Sequence, residues 1–122
     1  MQGINLDVVL SVNSTSRFSV NAKLDTGSTF CIFQRQCAEL LGLSIESGDL
    51  EIIRTATGKF LAYGHETTLI IANFEWEATV YFAKEESFPV NVVGRIGFLD
   101  RLKIGLNDYE QWLYLSSAFD AA

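Results

Sequence analysis

One histidine and two cysteines leave this chain of 122 residues with few side chains of the kind that bind transition metals. A zinc site gathers about four such ligands, and nothing near His65 completes a set. We therefore expect no metal and no other cofactor, and we place His65 in a strand. Cys31 and Cys37 both lie among apolar residues, which favours buried free thiols in a reducing compartment; a disulfide is the alternative.

Basic residues are scarce as well. Nine lysines and arginines stand against fifteen aspartates and glutamates, which gives a net charge of -6. A nucleic-acid partner requires a basic footprint, and the cations of this chain are scattered without forming a run. We expect no nucleic-acid partner, and we interpret the acidic balance as that of a soluble cytoplasmic protein.

Long apolar runs are missing too: no stretch approaches the roughly 20 residues that cross a bilayer, so we expect no membrane partner. The segment MQGINLDVVLSVN lacks a positive lead and carries Asp7 inside its apolar part, which does not fit a secretory signal. With 48% hydrophobic residues, a chain of this length can bury about two-thirds of its unfolded surface. We predict one domain over residues 1–122, with 116–122 as a tail.

What the sequence does have is apolar alternation with a period of two, which is typical of strands. Residues 4–12 alternate, NSTS at 13–16 predicts a turn, and residues 18–24 alternate again. This pattern predicts a hairpin with one buried face. Continuing the alternation puts Asp25 at the end of the second strand, on the face opposite that of Leu24. We therefore expect its side chain to leave the core and project from a loop.

The next segment predicts a short strand over 28–33 and a helix over 34–43. We expect Cys37, Leu40 and Leu41 to share the apolar face of this helix, and Gly42 to end it.

Further strands are predicted to meet at a tight turn near Gly58 within 45–72, and to run from Trp76 to Phe82 after an entry turn at 73–74. Val90, Val92 and Val93 indicate a buried strand, followed by a short helical turn at 96–101 and two strands around a turn at 107–110. Six or more short strands with one or two short helices predict an all-β domain, a closed or nearly closed barrel.

The run NAKLDTGSTFCIF at 21–33 interrupts this alternation with Asp-Thr-Gly-Ser and then resumes it at once. One interpretation is an Asx-type turn, in which Asp25 bonds its own backbone. The other is a reactive carboxylate held on a tight loop. The motif alone does not decide, because so short a sequence occurs by chance in many chains.

Two further features favour the reactive carboxylate. NVVGR follows at 91–95, and a glycine-tipped hairpin lies between the two motifs. The order of strand, Asp-Thr-Gly, helix, hairpin, hydrophobic-hydrophobic-Gly and short helix resembles that of the retropepsin-like (retroviral-type) aspartic proteases from Ile4 to Leu115. The stretch FPVNVVGRIGFLDRLKIGL is similar to the C-terminal signature of the bacterial single-domain members.

The resemblance implies an acid-protease-like fold and a homodimer, since one chain supplies a single Asp-Thr-Gly and therefore half of a site. Asp25, Thr26 and Gly27 would be catalytic, with two Asp25 carboxyl groups meeting on the two-fold axis and sharing one proton. Such a pair can activate water for peptide hydrolysis, as is known for aspartic-protease dyads. Thr26 would reach the partner loop, and Gly27 would let the two loops approach closely.

The resemblance also implies a flap at 55–60 over a cleft in which a peptide or protein substrate binds in extended form. We expect Ser28 to donate a hydrogen bond towards the Asp25 carboxylate, which favours an acidic working range. Gly94, which keeps room behind the Asp25 loop, and Arg95 would be structural support. Plain core packing is the alternative for the two valines among the expected substrate-binding residues, which are Ser28, Ala56, Thr57, Gly58, Lys59, Val92 and Val93.

The sequence also departs from the family. Retroviral members usually have Ala after the triad and then an Asp that pairs with the later Arg, whereas this chain has Ser28 and Thr29, so Arg95 lacks that partner. The single flap glycine predicts a stiffer flap. A catalytically weak or inactive peptide-binding or regulatory domain with the same fold therefore remains the second hypothesis. Phosphoryl transfer through Asp25 is a third, although that chemistry normally uses a parallel α/β sheet and magnesium.

Overall fold

A computed structural model describes residues 4–13, 16–55, 57–107 and 112–117, with side chains as far as residue 101. Within these ranges the chain forms nine strands, one α-helix and one 3-10 turn. The helix α1 spans Arg35–Leu40 and the 3-10 turn spans Ile45–Ser47. The strands are β1 (Asn5–Val12), β2 (Ser16–Leu24), β3 (Ile32–Phe33), β4 (Asp49–Thr55), β5 (Gly58–Ile71), β6 (Phe74–Ala83), β7 (Val92–Val93), β8 (Leu102–Asn107) and β9 (Trp112–Ser117).

Six of these strands close into a ring in the order β1-β2-β7-β3-β6-β5, and pairing of β1 with β5 completes it. Closure is possible because β5 has 14 residues. One of its edges pairs with β4 over 58–64 and with β1 over 68–70, while its other edge pairs with β6. The predicted all-β closed barrel is confirmed, and β4 extends from it as an edge strand.

The ring is filled by the apolar positions of the predicted alternation. Val8 and Leu10 of β1 and Val80 and Phe82 of β6 are fully buried, and Phe98 enters from the segment after β7. Each such side chain contributes about 1.5–3 kcal/mol relative to exposure. The two cysteines lie in the same core as free thiols, as predicted. No helix of the described part of the chain is long and apolar enough to cross a bilayer.

The helix α1 buries a different face from the one predicted. Cys37, Ala38 and Leu41 are buried, but Leu40 is 71% exposed, so the prediction that Leu40 faces the core was wrong. At 100° per residue, Ala38 and Leu41 lie on one side of Cys37 around the helix and Leu40 lies on the other. The buried face of the helix therefore extends from Cys37 towards Leu41 and Ala38, away from Leu40.

The end of α1 agrees with the prediction for Gly42. Gly42 has φ of 75°, and its N–H donates to the Glu39 carbonyl at 3.0 Å. The Leu43 N–H donates to the Ala38 carbonyl, also at 3.0 Å. This pair of bonds is a Schellman motif, which satisfies the last helical carbonyls and favours glycine at the left-handed position.

A short helical turn was predicted at 96–101, after β7, but this segment is not helical. The Leu99 and Asp100 N–H groups donate to the Gly94 and Arg95 carbonyls, five residues back, and Ile96 pairs with Phe30 in an isolated bridge. Gly97 has φ of 98°, which a helix cannot contain.

Three element boundaries also differ from the prediction. β3 covers only two of the six residues predicted at 28–33, and Val90 is 43% exposed and precedes β7. β9 continues to Ser117, past the start of the predicted tail. Residues 108–110 of the turn predicted at 107–110 and residues 118–122 of the predicted tail lie outside the described residues.

Candidate active site

The Asp25 loop, residues 25–28, begins where β2 ends. The Ser28 N–H donates to the Asp25 carbonyl at 3.1 Å, and the Gly27 N–H donates to Asp25 Oδ1 at 2.9 Å. The Asx-type turn considered from the sequence is therefore present. It fixes the orientation of the carboxylate without burying it, because Asp25 is half-buried and lines the cleft described below. The two interpretations of the motif are thus compatible.

The segment 91–96 runs beside the loop and supports it from both ends. β2 and β7 pair in parallel, and the Asp25 N–H donates to the Val93 carbonyl at 3.0 Å. Past the loop, the Arg95 N–H donates to the Ser28 carbonyl at 2.9 Å and the Ile96 N–H to the Thr29 carbonyl at 2.8 Å. Backbone bonds on either side hold the Asp25 loop against a part of the chain distant in sequence.

Gly94 makes this close approach possible. A Cβ atom at Gly94 would lie 2.5 Å from the Phe30 carbonyl oxygen and 2.6 Å from that of Ser28. Both are backbone atoms that cannot rotate away. Only a residue without a side chain fits between the Asp25 loop and the segment that supports it.

Two side chains near the loop make bonds that the sequence did not predict. The Ser28 hydroxyl donates to the Phe30 carbonyl at 2.8 Å, so its single proton points away from the Asp25 carboxylate, contrary to our expectation. Arg95 Nη2 donates to Thr29 Oγ1 at 3.2 Å. A charge–neutral hydrogen bond thus occupies the position for which an ion pair would be usual in retroviral members.

A cleft of about 540 Å³ lies between the Asp25 loop and the flap hairpin, which is the β4–β5 hairpin over residues 49–64. Much of its lining is apolar: Ile32, Ile53 and Val92 are buried together, and the rings of Phe60 and Phe88 stand 4.8 Å apart. Asp25 and Arg54 are the charged residues among those that line it, which are Asp25, Gly27, Ser28, Thr29, Phe30, Ile32, Ile52, Ile53, Arg54, Thr55, Phe60, Phe88, Val90 and Val92.

The predicted site residues divide between this cleft and its surroundings. Asp25, Gly27, Ser28 and Val92 line the cleft, whereas Thr26 is exposed on the loop. Val93 is fully buried in the core, so of the two interpretations offered for the valines, cleft lining applies to Val92 and core packing to Val93.

The flap residues named from the sequence lie at the far end of the hairpin. Thr57, Gly58 and Lys59 are exposed and outside the cleft lining, and Ala56 is outside the described residues.

Several lining residues were not predicted from the sequence. The most informative are Phe30 and Ile32, whose spacing of two continues the strand alternation past the Asp25 loop. Ile52, Arg54 and Phe88 lie in segments whose direction relative to the cleft the sequence does not give. Only membership of the flap could have indicated that Arg54 lines the cleft, and the flap predicted from the sequence, residues 55–60, begins one residue after it.

Neither thiol can serve as a nucleophile here. Burial raises the pKa of Cys31 to about 12 and that of Cys37 to about 11, so both stay protonated near neutral pH. Among the described residues, no group of three or more His, Cys, Asp or Glu side chains could hold a metal ion. Of the groups that line the cleft, the Asp25 carboxyl is the one suited to accept or donate a proton.

Comparison with known proteins identifies the fold. No protein-family model and no curated protein matches the sequence. Among solved structures, a retropepsin-like aspartic protease from Rickettsia conorii matches over 92% of this chain and 89% of its own, with a TM-score of 0.63 and 17% identity. The protease of EIAV, solved with an inhibitor, matches over 77% and 83%, with a TM-score of 0.59 and 18% identity. The chain therefore has the retropepsin-like aspartic protease fold predicted from its sequence.

Proposed function

We propose that this protein is an aspartic endopeptidase that acts as a homodimer. The observation that carries the proposal is the Asp25 carboxylate, held by backbone bonds at the floor of an apolar cleft in a chain with the retropepsin-like fold. The chain has one Asp-Thr-Gly, so the second carboxyl group comes from a second copy. Thr26, exposed on the loop, is free to contact the partner loop.

In this mechanism two Asp25 carboxyl groups lie close together and share one proton, because two adjacent carboxylates cannot both ionise without a large cost. The ionised group takes a proton from a water molecule, whose oxygen attacks the peptide carbonyl carbon. The protonated group gives its proton to the carbonyl oxygen. The group that took the proton from water then gives it to the amide nitrogen, and the C–N bond breaks as one hydroxyl of the tetrahedral diol passes its proton to the other carboxylate, so that the pair again holds one proton.

The shape of the cleft supports an extended peptide as substrate. Among the described residues, β4, the first strand of the flap hairpin, is an edge strand of the sheet, so its backbone groups on one side are available to a substrate strand. The apolar lining, which includes Ile32, Phe60 and Val92, favours hydrophobic side chains near the scissile bond. Main-chain pairing would supply affinity, and alternate side chains would enter the cleft.

The direct test compares Asp25→Asn with Asp49→Asn. Both variants remove one carboxylate, but Asp49 is exposed on β4 and is outside the cleft lining. We expect the wild type and Asp49→Asn to cleave denatured protein at acidic pH with inhibition by a pepstatin-type compound. Asp25→Asn should lose at least about 10³-fold in kcat/KM, since it removes both the general base and the shared proton.

Cleavage that survives Asp25→Asn would remove the proposal, as would a strict monomer by sedimentation at a concentration where activity is full. A binding or regulatory domain is the second candidate, favoured by the Arg95–Thr29 hydrogen bond in place of an ion pair. That candidate predicts peptide binding of equal strength by the wild type and Asp25→Asn, without cleavage by either.

A further inference from the structure

The cleft has an asymmetric distribution of charge. Apart from Asp25, Arg54 is the charged residue that lines it, and most other lining side chains are apolar. In a chain with a net charge of -6, this places one arginine among the residues that line the cleft.

A second cation stands opposite Arg54 on the same face of the flap hairpin. Arg54 and Lys59 are direct cross-strand partners in the β4–β5 register, which puts their Cβ atoms roughly 4.5–5.5 Å apart and on one side of the sheet. Like charges in this arrangement repel each other and destabilise the pairing. An anion placed beside them would relieve that repulsion.

The carboxylates of the described residues do not provide this anion. The ion pairs found there join Arg35 to Glu39 and to Glu46, and Asp100 to Arg101, all away from the hairpin end. Arg54 is exposed, and its same-face neighbours along the hairpin are Ile52, Lys59 and Leu61. The titratable group that faces it across the strand pair is therefore a cation, Lys59.

We propose that Arg54 is a specificity-determining residue, and that the preferred substrates carry an acidic side chain at the position that contacts it. The inference rests on the proposed endopeptidase function. An Arg guanidinium binds a carboxylate through two parallel hydrogen bonds, and a partly enclosed cleft strengthens such a pair relative to open water. The substrate class is an extended segment with large apolar side chains near the scissile bond and one Asp or Glu beside the flap hairpin.

The test uses two peptide pools that are apolar at every position except one, which is Glu in the first pool and Gln in the second. The variable position is moved along the peptide, and the ratio of kcat/KM between the pools is measured at pH 6 for the wild type, Arg54→Gln and Arg17→Gln. Arg17 is an exposed arginine of β2 outside the cleft, so its variant has the same net charge as Arg54→Gln.

We expect one position at which the wild type and Arg17→Gln prefer Glu about three- to tenfold, the range of a partly exposed charge-assisted pair. Arg54→Gln should reduce that ratio to about one. The preference should also vanish at pH 3, because a glutamate side chain has an ordinary pKa of about 4.3 and loses its charge. A ratio near one at every position for the wild type, or a preference that Arg54→Gln retains, overturns the proposal.

A binding arm separates this inference from the proposed function. Asp25→Asn, with Arg54 intact, is titrated with the same two pools carrying a fluorophore, and anisotropy gives the ratio of Kd values. If the wild type cleaves neither pool while the Glu pool binds Asp25→Asn three- to tenfold tighter, and adding Arg54→Gln to that variant removes the difference, the endopeptidase proposal fails and acidic recognition by Arg54 stands. If both pools bind equally, recognition by Arg54 is excluded whether or not cleavage occurs.

Discussion

Gly94 determines how closely the supporting segment can approach the Asp25 loop. Gly94→Ala should destabilise the protein by about 3 kcal/mol, the upper end of typical overpacking, because the new methyl group would meet two backbone oxygens. Thermal denaturation would measure the loss. Gly42→Ala is the control: its added Cβ has open space and meets only the cost of a left-handed φ, about 1–2 kcal/mol. Equal losses for the two variants would contradict the steric argument.

The buried thiols of Cys31 and Cys37 predict how stability depends on alkaline pH. Their ordinary pKa is 9.0, and burial raises the folded-state values to about 12 and about 11. Above pH 9 the unfolded chain therefore loses thiol protons that the folded chain keeps, so the unfolded state gains stability. The free energy of unfolding should be constant with respect to the thiols below about pH 9 and should fall as the pH rises towards 11.

Denaturant unfolding at pH 7, 9 and 10.5 would measure this dependence. A variant with both cysteines replaced by alanine supplies the control, because lysines and tyrosines titrate in the same range and remain in it. Its unfolding free energy should decrease less between pH 9 and 10.5 than that of the wild type. Identical slopes would show that the thiols are accessible to water in the folded protein.

At the scale of the element, the end of α1 offers two adjacent leucines that differ sharply in burial: Leu40, its last residue, and Leu41, which caps it. Leu40 is 71% exposed and Leu41 is 3% exposed. Leu41→Ala should cost about 2–4 kcal/mol through lost burial and a cavity, whereas Leu40→Ala should change the unfolding free energy by less than about 0.5 kcal/mol. Urea denaturation of both variants measures the difference. Similar losses would show that the helix is rotated relative to the arrangement described.

The flap hairpin contacts the segment before β7 through the rings of Phe60 and Phe88, whose centroids lie 4.8 Å apart. Removing one ring should loosen the hairpin while the barrel stays closed, because β5 keeps its pairing with β6 and β1. For Phe88→Ala we expect amide hydrogen exchange in residues 49–60 to accelerate about tenfold, corresponding to roughly 1.4 kcal/mol.

Exchange in β1 and β6 of Phe88→Ala should be unchanged, and Leu50→Ala, an exposed position of β4, should leave the hairpin rates as they are. Uniform acceleration across all strands would mean that Phe88 supports the whole barrel and not the hairpin alone.

At the scale of the whole molecule, the strands and the Asp25 loop were predictable because both leave local signals. Alternation located β1, β2 and β6, and the two glycine motifs located the loop and its support. The face of α1 was not predictable, since a helix of six residues contains too few apolar positions to define a direction. The residues that complete the cleft were not predictable either. Arg54 lies on β4 and Phe88 on the segment between β6 and β7, and only the folded topology shows that both segments border the cleft.

The proposed homodimer makes a prediction that no single-chain site would share. If each active centre needs one Asp25 from each copy, an Asp25→Asn chain that pairs with a wild-type chain inactivates it. A fixed amount of wild type, unfolded and refolded with an equal amount of Asp25→Asn, should keep about half of its activity, and with a ninefold excess about one tenth. These values follow from random pairing at concentrations where all chains are dimeric. Refolding with Asp49→Asn should leave the activity per chain unchanged.

Activity that is independent of added Asp25→Asn would require either that each chain works alone or that the copies do not exchange. Mass spectrometry of an isotope-labelled mixture distinguishes the two, because exchange at equal amounts yields wild-type homodimers, mixed dimers and variant homodimers in the ratio of one to two to one. Mixed dimers with full activity would mean that a single Asp25 suffices. In that case the reaction would depend on one carboxyl group in the cleft, and the shared-proton mechanism would have to be abandoned.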